Sequence, residues 1–140
     1  MTVIVATRDA MYSDSICASG DSNFPSLKIY RHKGELIGTA GDVPGIEKFL
    51  KWYTGNRKKP VDFGDHTFSA IVVNKAGIWD YSGCTFPDYV MRDYHGCGIG
   101  WQAAHAAMLC GETPERAVEI ACKVTHLCGL PVQKFTLRKN

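Results

Sequence analysis

The sequence has no long apolar run and no marked excess of charge of either sign, and each absence excludes a class of protein. No stretch approaches the roughly 20 apolar residues that a membrane span needs. No signal peptide precedes the first predicted strand, so we expect a cytoplasmic protein without a membrane partner. The formal net charge is only +2, which argues against a nucleic-acid partner.

The sequence also lacks any C-x-x-C pair, although it contains six cysteines. They are Cys17, Cys84, Cys97, Cys110, Cys122 and Cys128. Because no secretory signal accompanies them, the even count does not predict disulfides, and a reducing interior is the expected compartment. His95 with Cys97, and His126 with Cys128, are pairs that could hold zinc, but structural zinc sites space their ligands more tightly. We therefore predict neither a metal nor another cofactor.

What is present is the composition of an ordinary globular domain. Hydrophobic residues make up 45% and charged residues 21% of the 140 residues, which predicts a single domain over 1–140. Runs of β-branched and apolar residues alternate with turn residues and predict eight strands. The predicted strands are 2–8, 11–18, 27–32, 35–40, 67–74, 77–82, 89–94 and 131–138, with a loop over 19–26.

Three helices are predicted between these strands. The first begins after Gly41, with Asp42 as its cap, and ends at Gly55. The second spans 101–109, and the third begins at Thr113 and runs to Gly129. The order of elements suits two antiparallel sheets packed face to face, with a helical hairpin outside one sheet and a single helix outside the other.

The second residue carries the most unusual chemistry in the chain. If Met1 is removed, Thr2 presents a hydroxyl and a free α-amine on one residue. The amine has an ordinary pKa of about 7.7–8.0, so it can accept the hydroxyl proton near neutral pH. Lys28 and Asp14 are candidates for a nearby cation and the carboxylate that holds it. The alternative is that Thr2 simply begins an edge strand and that Lys28 is a solvated surface residue.

Several short segments, taken in order, resemble the proteasome-type N-terminal nucleophile hydrolases, with the HslV-like peptidases as the nearest branch. "TVIVATRDAMYSDS" is similar to the family's opening strand, turn, strand and Asp, and "LKIY" to its Lys-bearing strand. "LIGTAGD" is similar to the turn before the first helix. The stretch "GCGIGWQAAHAAML" resembles the glycine-rich turn and first paired helix, and "ERAVEIACKVTHLCG" the second. The resemblance implies a four-layer αββα sandwich.

The resemblance also implies catalytic roles. Thr2 would be the nucleophile, with its own amine as the base. Asp14 would orient Lys28, and Lys28 would tune the nucleophile. Gly41 would offer a backbone N–H to the developing oxyanion.

Further positions follow from the same resemblance, and some depart from the family pattern. Thr39 would line the pocket for the substrate side chain, and Gly98 would contact substrate. Cys97 occupies the place of a Ser beside the active site, and Leu130 occupies the place of an Asp after the second paired helix. The segment after Gly55 has no room for the family's second long helix, so we expect one outer layer reduced to a single helix, with exposed sheet surface.

The function that the resemblance implies is a threonine peptidase that cleaves peptides or unfolded proteins through an acyl-enzyme. It implies a homo-oligomer, with a ring as the family's usual form, and raises an ATPase unfoldase as a further partner. Two alternatives stay open: a catalytically silent relative that uses the fold for assembly, and a hydrolase of small amides. The printed sequence carries Met1, which would block the amine if retained.

Overall fold

The computed structural model describes residues 2–19, 21–126 and 128–137. The strands in these residues are β1 (Ile4–Thr7), β2 (Ala10–Ser13), β3 (Ile16–Ser19), β4 (Ser22–Pro25), β5 (Ile29–His32), β6 (Glu35–Gly41), β7 (Phe68–Asn74), β8 (Gly77–Ser82), β9 (Asp88–Val90), β10 (Tyr94–Cys97) and β11 (Gln133–Thr136). The helices are α1 (Val43–Thr54), α2 (Trp101–Leu109) and α3 (Pro114–Val124).

The strands form two large antiparallel sheets and one short hairpin. The first sheet has the order β10-β1-β2-β11, and the second has the order β5-β6-β7-β8-β9. The hairpin pairs β3 with β4 and stands apart from both sheets. In the first sheet Ile4 lies opposite Ser13 on one side and Cys97 on the other, so the start of β1 meets the end of β2 and of β10.

The two large sheets pack face to face through one apolar cluster. Side chains on β1 alternate between its two faces, so Ile4 and Ala6 join this cluster together with Met11 of β2. They meet the second sheet at Ile29, Leu36, Ile71, Val73 and Ile78. The sheets come close at Gly38, where an added Cβ would lie 2.5 Å from the sulfur of Met11.

Helices cover the outer faces of both sheets. Val3 and Val5, on the opposite face of β1, pack against Ala104 of α2 and Val118 of α3. On the other side, Phe49 of α1 packs against the outer face of the second sheet. The chain is therefore a four-layer αββα sandwich, as predicted, with two helices on one side and one on the other.

On the single-helix side, the segment after α1 also covers part of the outer face of the second sheet. Residues 55–67 contain no helix, as expected, but Phe63 is buried from this segment and its ring centroid lies 4.6 Å from that of Phe68. Because Phe63 joins the cluster around α1, the linker itself covers sheet surface that we expected to be exposed.

Four features differ from the sequence prediction. The predicted strand 11–18 breaks at Asp14–Ser15, and the predicted loop 19–26 contains most of the β3–β4 hairpin. All four residues of β4 are exposed, so the hairpin has no apolar alternation by which a sequence pattern could show it. The predicted strand 89–94 is two strands, since β9 and β10 belong to different sheets. The third helix ends at Val124 and not at Gly129.

The two predicted helix caps behave differently. Thr113 caps α3, since its side chain accepts a hydrogen bond from the Arg116 N–H at 3.2 Å. Asp42 makes no such bond to α1. Its carboxylate accepts instead from the Thr67 N–H at 3.2 Å, which ties the start of α1 to the strand beside it. None of the three described helices combines the length and the apolar character needed to cross a bilayer.

Candidate active site

A buried ion pair joins the first predicted hairpin to the next strand. Lys28 Nζ lies 2.9 Å from Asp14 Oδ1 and 2.8 Å from Oδ2, so it donates to both carboxylate oxygens. Asp14 is fully buried and Lys28 is 6% exposed. Charge-assisted hydrogen bonds of this kind are short and strong when water is excluded. The structure thus brings together Asp14 and Lys28, two of the residues that the sequence analysis singled out.

Backbone groups from three parts of the chain fix the Asp14 carboxylate. The Val3 N–H donates to Oδ1 at 3.0 Å. The Ile16 N–H donates to Oδ2 at 3.4 Å, and the Gly129 N–H donates to the same oxygen at 3.3 Å. Because the side chain turns inward to collect these donors, the chain cannot continue as one strand through residue 14.

Lys28 is held by the backbone as well. Its Nζ donates to the Ile16 carbonyl oxygen at 2.7 Å. The Lys28 carbonyl accepts from the Thr39 N–H at 3.1 Å, which extends the pairing of β5 with β6 to the residue before β5. The ammonium is thus positioned by the second sheet and oriented by the residues that follow β2.

Thr2 lies against the glycine-rich turn between β10 and α2. Its carbonyl oxygen accepts from the Gly100 N–H at 3.2 Å. Gly98 has a φ of +90°, and a Cβ there would lie 2.2 Å from the Thr2 carbonyl oxygen and 3.4 Å from the Thr2 Cβ. Only glycine fits this contact, so the "GCGIG" turn has a structural reason: it lets the backbone close around Thr2.

Thr2 and Lys28 line the same large cavity between the sheets' edge, the β3–β4 hairpin and α1. The cavity has a volume of about 910 Å³. Thr39, Gly41 and Gly98 line it too, so five of the seven residues that the sequence singled out share one space. Asp14 lies behind Lys28 and does not line it.

The walls of the cavity are mostly apolar and include residues that the sequence analysis did not identify. One wall comes from the hairpin and the residues after it, the other from the first turns of α1. The apolar lining includes Cys17, Ala18, Phe24, Leu27, Val43, Ile46, Leu50 and Ile99. Asp42 and Glu47 add carboxylates. These residues have no motif of their own, since they share a site only after the hairpin has folded toward α1.

Cys97 lies in the core between the two sheets, and it is not among the residues that line the cavity. It is 8% exposed. Burial raises the pKa of its thiol, and the negative charge of Asp80 raises it further. The resemblance places this residue beside the reactive amine, and in the structure it belongs to the apolar cluster between the sheets and lies opposite Ile4 of β1.

His95, one of the two histidines considered as zinc ligands, is paired with the carboxylate of Asp80. Among residues 2–19, 21–126 and 128–137, no group of three or more His, Cys, Asp or Glu side chains could hold a metal ion. His95 Nε2 lies 2.5 Å from Asp80 Oδ2, and the Ser82 hydroxyl donates to Asp80 Oδ1 at 2.6 Å. Burial acts to raise the pKa of Asp80, but the hydrogen bonds from His95 and Ser82 outweigh it, and the net pKa is lowered.

The four-layer αββα fold is similar to that of solved structures that match this chain over almost its whole length. The eukaryotic HslV of Trypanosoma brucei is similar, with a TM-score of 0.74, 16% identity and coverage of 98% of this chain and 99% of that chain. BPH of Thiobacillus denitrificans is similar, with a TM-score of 0.73, 15% identity and coverage of 99% of both chains.

A second structure of that Thiobacillus denitrificans protein, in complex with epoxomicin, has a TM-score of 0.71 at 15% identity and covers 99% of both chains. No protein-family model and no curated protein sequence matches the chain. At this level of identity the likeness establishes the fold, and the reaction has to be argued from the site itself.

Proposed function

We propose that the chain is a threonine peptidase that hydrolyses peptide bonds through an acyl-enzyme on Thr2. The observation that carries the proposal is the buried Asp14–Lys28 pair, whose lysine opens on the same cavity as Thr2. Burial of this ion pair costs the hydration free energy of both charges. A buried ion pair beside a cavity is a common feature of functional sites.

In the first step, the Thr2 hydroxyl oxygen attacks the carbonyl carbon of the substrate. The free α-amine of Thr2 accepts the hydroxyl proton, which requires that Met1 has been removed. The ammonium of Lys28 stabilises the developing charge on the hydroxyl oxygen, and Asp14 keeps that ammonium in place. A small second residue such as Thr2 permits removal of Met1.

In the second step, the tetrahedral oxyanion collapses to an ester on Thr2 and the leaving amine takes the proton from the Thr2 ammonium. The backbone N–H of Gly41 is the proposed oxyanion donor. Gly41 has a φ of +121°, and a Cβ there would lie 2.6 Å from the Thr67 carbonyl oxygen, so this backbone position is restricted to glycine. Water then attacks the ester carbonyl carbon while the Thr2 amine accepts a proton from the water. The Thr2 hydroxyl leaves and takes this proton back.

The lining of the cavity supports a preference for a large apolar side chain in the substrate. A volume of about 910 Å³ accommodates a short peptide. Phe24, Leu27, Ile46 and Leu50 supply apolar walls. Thr39, which lines the same cavity, is the proposed contact for the substrate side chain, and Gly98 is a further proposed substrate contact.

A catalytically silent member of the fold is the second candidate. Burial of the Cys97 thiol in the core favours it, because the residue expected to support the amine does not line the cavity. A silent protein would keep the ion pair for stability alone and would serve assembly.

We also propose a homo-oligomer, with a ring as the expected form, by analogy with HslV. Unfolded protein is the proposed natural substrate, and an ATPase unfoldase the proposed delivery partner. A reducing compartment such as the cytoplasm suits six free thiols.

The test is hydrolysis of short peptides that carry a fluorogenic leaving group after Phe, Leu, Lys or Glu. The protein is produced with Thr2 as its first residue, verified by intact mass. We expect turnover with Phe and Leu, retention of part of it in Thr2→Ser and its loss in Thr2→Ala. Turnover that survives in Thr2→Ala would reject Thr2 as the nucleophile, and no turnover with any peptide would favour the silent alternative.

A further inference from the structure

Exposed cations gather at the end of α1 that lies away from the cavity. Lys33 is in the turn between β5 and β6, and Lys75 is in the turn between β7 and β8. Both turns lie at the same end of the second sheet, because β5 to β8 pair antiparallel in that order. Helix α1 ends there too, beside Glu35, the first residue of β6. The basic patch consists of Lys33, Arg57, Lys58, Lys59 and Lys75, which are all exposed.

Contacts around Glu35 hold the elements of the basic patch together. The Tyr53 hydroxyl donates to one Glu35 carboxylate oxygen at 2.7 Å, and the Asn74 side-chain amide donates to the other at 2.8 Å. Arg57 Cζ lies 4.5 Å from the centroid of the Tyr53 ring. The two turns and the end of α1 are therefore fixed against one another.

The positive charge of the basic patch is largely uncompensated. Its five cations together with Glu35 give a formal charge of +4, which exceeds the +2 of the whole chain. Glu35 already accepts two hydrogen bonds, and no salt bridge of the described residues includes a cation of the patch. Asp42 and Glu47, at and near the start of α1, line the cavity instead.

Two of these cations occupy backbone positions that suit other residue types better. Within 2–19, 21–126 and 128–137, Lys33 and Arg57 are the only non-glycine residues with positive φ, at +48° and +52°. This conformation is unfavourable for long side chains, and two-residue hairpin turns prefer asparagine before glycine. Unfavourable backbone conformations that persist often mark functional positions. Positive charge is the property that these two positions share.

The chemistry of the basic patch suits carboxylates better than nucleic acid. The Tyr53 ring is buried and lies under Arg57, so it offers no free face on which a base could stack. The isoelectric point of the chain is about 8.2, below the value of about 9 that marks nucleic-acid-binding domains. Ammonium and guanidinium groups on three elements can each bind a carboxylate of an extended acidic segment.

The basic patch and the cavity lie at opposite ends of β6. Thr39 and Gly41, toward the end of this strand, line the cavity, whereas Glu35 begins it. The 7 residues of β6, at about 3.4 Å each, separate the two sites by roughly 20 Å. A segment bound at the patch therefore leaves the cavity open to substrate.

We propose that the basic patch binds an acidic segment of a partner protein. The inference goes beyond the proposed function, because this binding does not require a reactive Thr2. The cations are exposed to solvent, so salt screens the attraction and weakens the complex. Charge of one sign on such a surface also speeds the encounter with a partner of opposite charge.

The test measures binding of a fluorescein-labelled oligoglutamate peptide to the full chain by fluorescence anisotropy. We expect binding at low salt that weakens as salt is added. Lys33→Asn combined with Lys75→Gln should weaken binding by about tenfold. Lys123→Gln combined with Lys134→Gln is the matched control, because it removes two exposed cations that lie outside the patch, and it should bind like the parent.

The single variant Lys33→Asn separates the charge of this residue from its role in the turn. Asparagine before Gly34 suits the backbone of the turn, so the urea midpoint of unfolding should rise while binding of oligoglutamate weakens. A lower midpoint would mean that the fold itself requires the lysine, and it would contradict the argument from the backbone conformation.

The inference is wrong if oligoglutamate does not bind at low salt, or if the two double variants weaken binding equally. Oligothymidine that displaces the peptide at a lower concentration than unlabelled oligoglutamate would assign the patch to nucleic acid and overturn the inference as well. Thr2→Ala should bind the peptide like the parent, so failure of the proposed function would leave this result unchanged.

Discussion

Asp14 is the residue on which the geometry of the site converges. Its two carboxylate oxygens accept from Lys28 and from the N–H groups of Val3, Ile16 and Gly129. One side chain thus connects the start of β1, the start of β3, the residue before β5 and the segment after α3. A carboxylate with so many donors is placed by the fold and in turn fixes the ammonium of Lys28, a residue that lines the cavity.

Variants of the Asp14–Lys28 pair can separate its effect on the stability of the protein from its effect on peptide turnover. Asp14→Asn removes the negative charge from beside a buried ammonium, and we expect it to lower the free energy of unfolding by about 3 kcal/mol. The double variant Asp14→Asn with Lys28→Met removes both charges and should regain much of that loss. Both proteins should be inactive, because each lacks a positioned ammonium. Urea unfolding and peptide turnover measure the two effects.

Either of two results would contradict this prediction. Full peptide turnover in the double variant would mean that the ammonium has no part in catalysis. A single Asp14→Asn variant as stable as the parent would mean that the pair is hydrated and not buried.

Gly98 provides a second prediction, with Gly111 as its matched control. Both have positive φ values, +90° and +98°, so Ala costs about 1–2 kcal/mol of backbone strain at either position. Only at Gly98 would the added Cβ collide, 2.2 Å from the Thr2 carbonyl oxygen, since nothing lies within 4 Å at Gly111. We expect Gly98→Ala to lose peptide turnover and Gly111→Ala to lose stability only. Equal turnover in the two variants would contradict the contact with Thr2.

Side chains with distinctive chemistry could be found in the sequence, whereas backbone partners could not. Thr2, Asp14 and Lys28 were candidates because few other residue types supply a nucleophile, a carboxylate and a cation on early strands. The Ile16 carbonyl and the Gly129 N–H had no signal, since every residue carries these groups. The same limit applies to Cys17 of β3, which lines the cavity although no motif in the sequence surrounds it.

At the scale of elements, the β3–β4 hairpin and the β8–β10 contact show what a strand pattern misses. The hairpin is exposed on β4, so no burial enforces alternation in its sequence. Strands β8 and β10 belong to different sheets, and they are joined at one point by Asp80 and His95, 2.5 Å apart. Polar links of this kind depend on the packing of the sheets, which local sequence does not encode.

The Asp80 link predicts an acid-dependent contribution to stability. The pKa of Asp80 is lowered from its ordinary 3.8, so the folded state favours the carboxylate. The stabilisation is therefore present in full above about pH 4 and is lost as the pH falls below 3.8, through the folded pKa. We expect Asp80→Asn to cost roughly 1 kcal/mol at neutral pH, and the difference from the parent to shrink in acid.

Urea unfolding of both proteins over a range of pH measures this difference. Asp88→Asn, on the exposed edge strand β9, is the matched control and should show little change. A difference between Asp80→Asn and the parent that grows toward acid would contradict the lowered pKa.

At the scale of the whole molecule, the layer order could be predicted because two sheets packed face to face, with helices outside them, bury the apolar faces of these elements. The alternation of side chains along β1 and the residue before it supplies two of these faces. Ile4 and Ala6 pack toward the second sheet, whereas Val3 and Val5 pack toward the helices. The apolar stripe of α1 supplies the third. The covering role of Phe63 could not be predicted, since a single aromatic residue in a polar linker has no period.

The proposed assembly makes a prediction at the same scale. Multi-angle light scattering at micromolar concentration should give a mass that is a multiple of 15.4 kDa. Exposed apolar side chains such as Phe86, Met91 and Leu109, between 69% and 89% exposed, are the surface that an assembly would cover. A lone monomer under these conditions would rule out the ring.

The central claim is that the hydroxyl and the amine of Thr2 react as one unit beside the Lys28 ammonium, and one measurement tests it most directly. The parent, Thr2→Ala and Lys28→Met, each with residue 2 as its first residue, are incubated with a peptidyl epoxyketone. This probe has two electrophilic carbons that a hydroxyl and an amine on one residue can both bond. We expect one adduct, mapped by mass spectrometry to Thr2 in the parent and absent from both variants. Equal labelling in the parent and Thr2→Ala would contradict it.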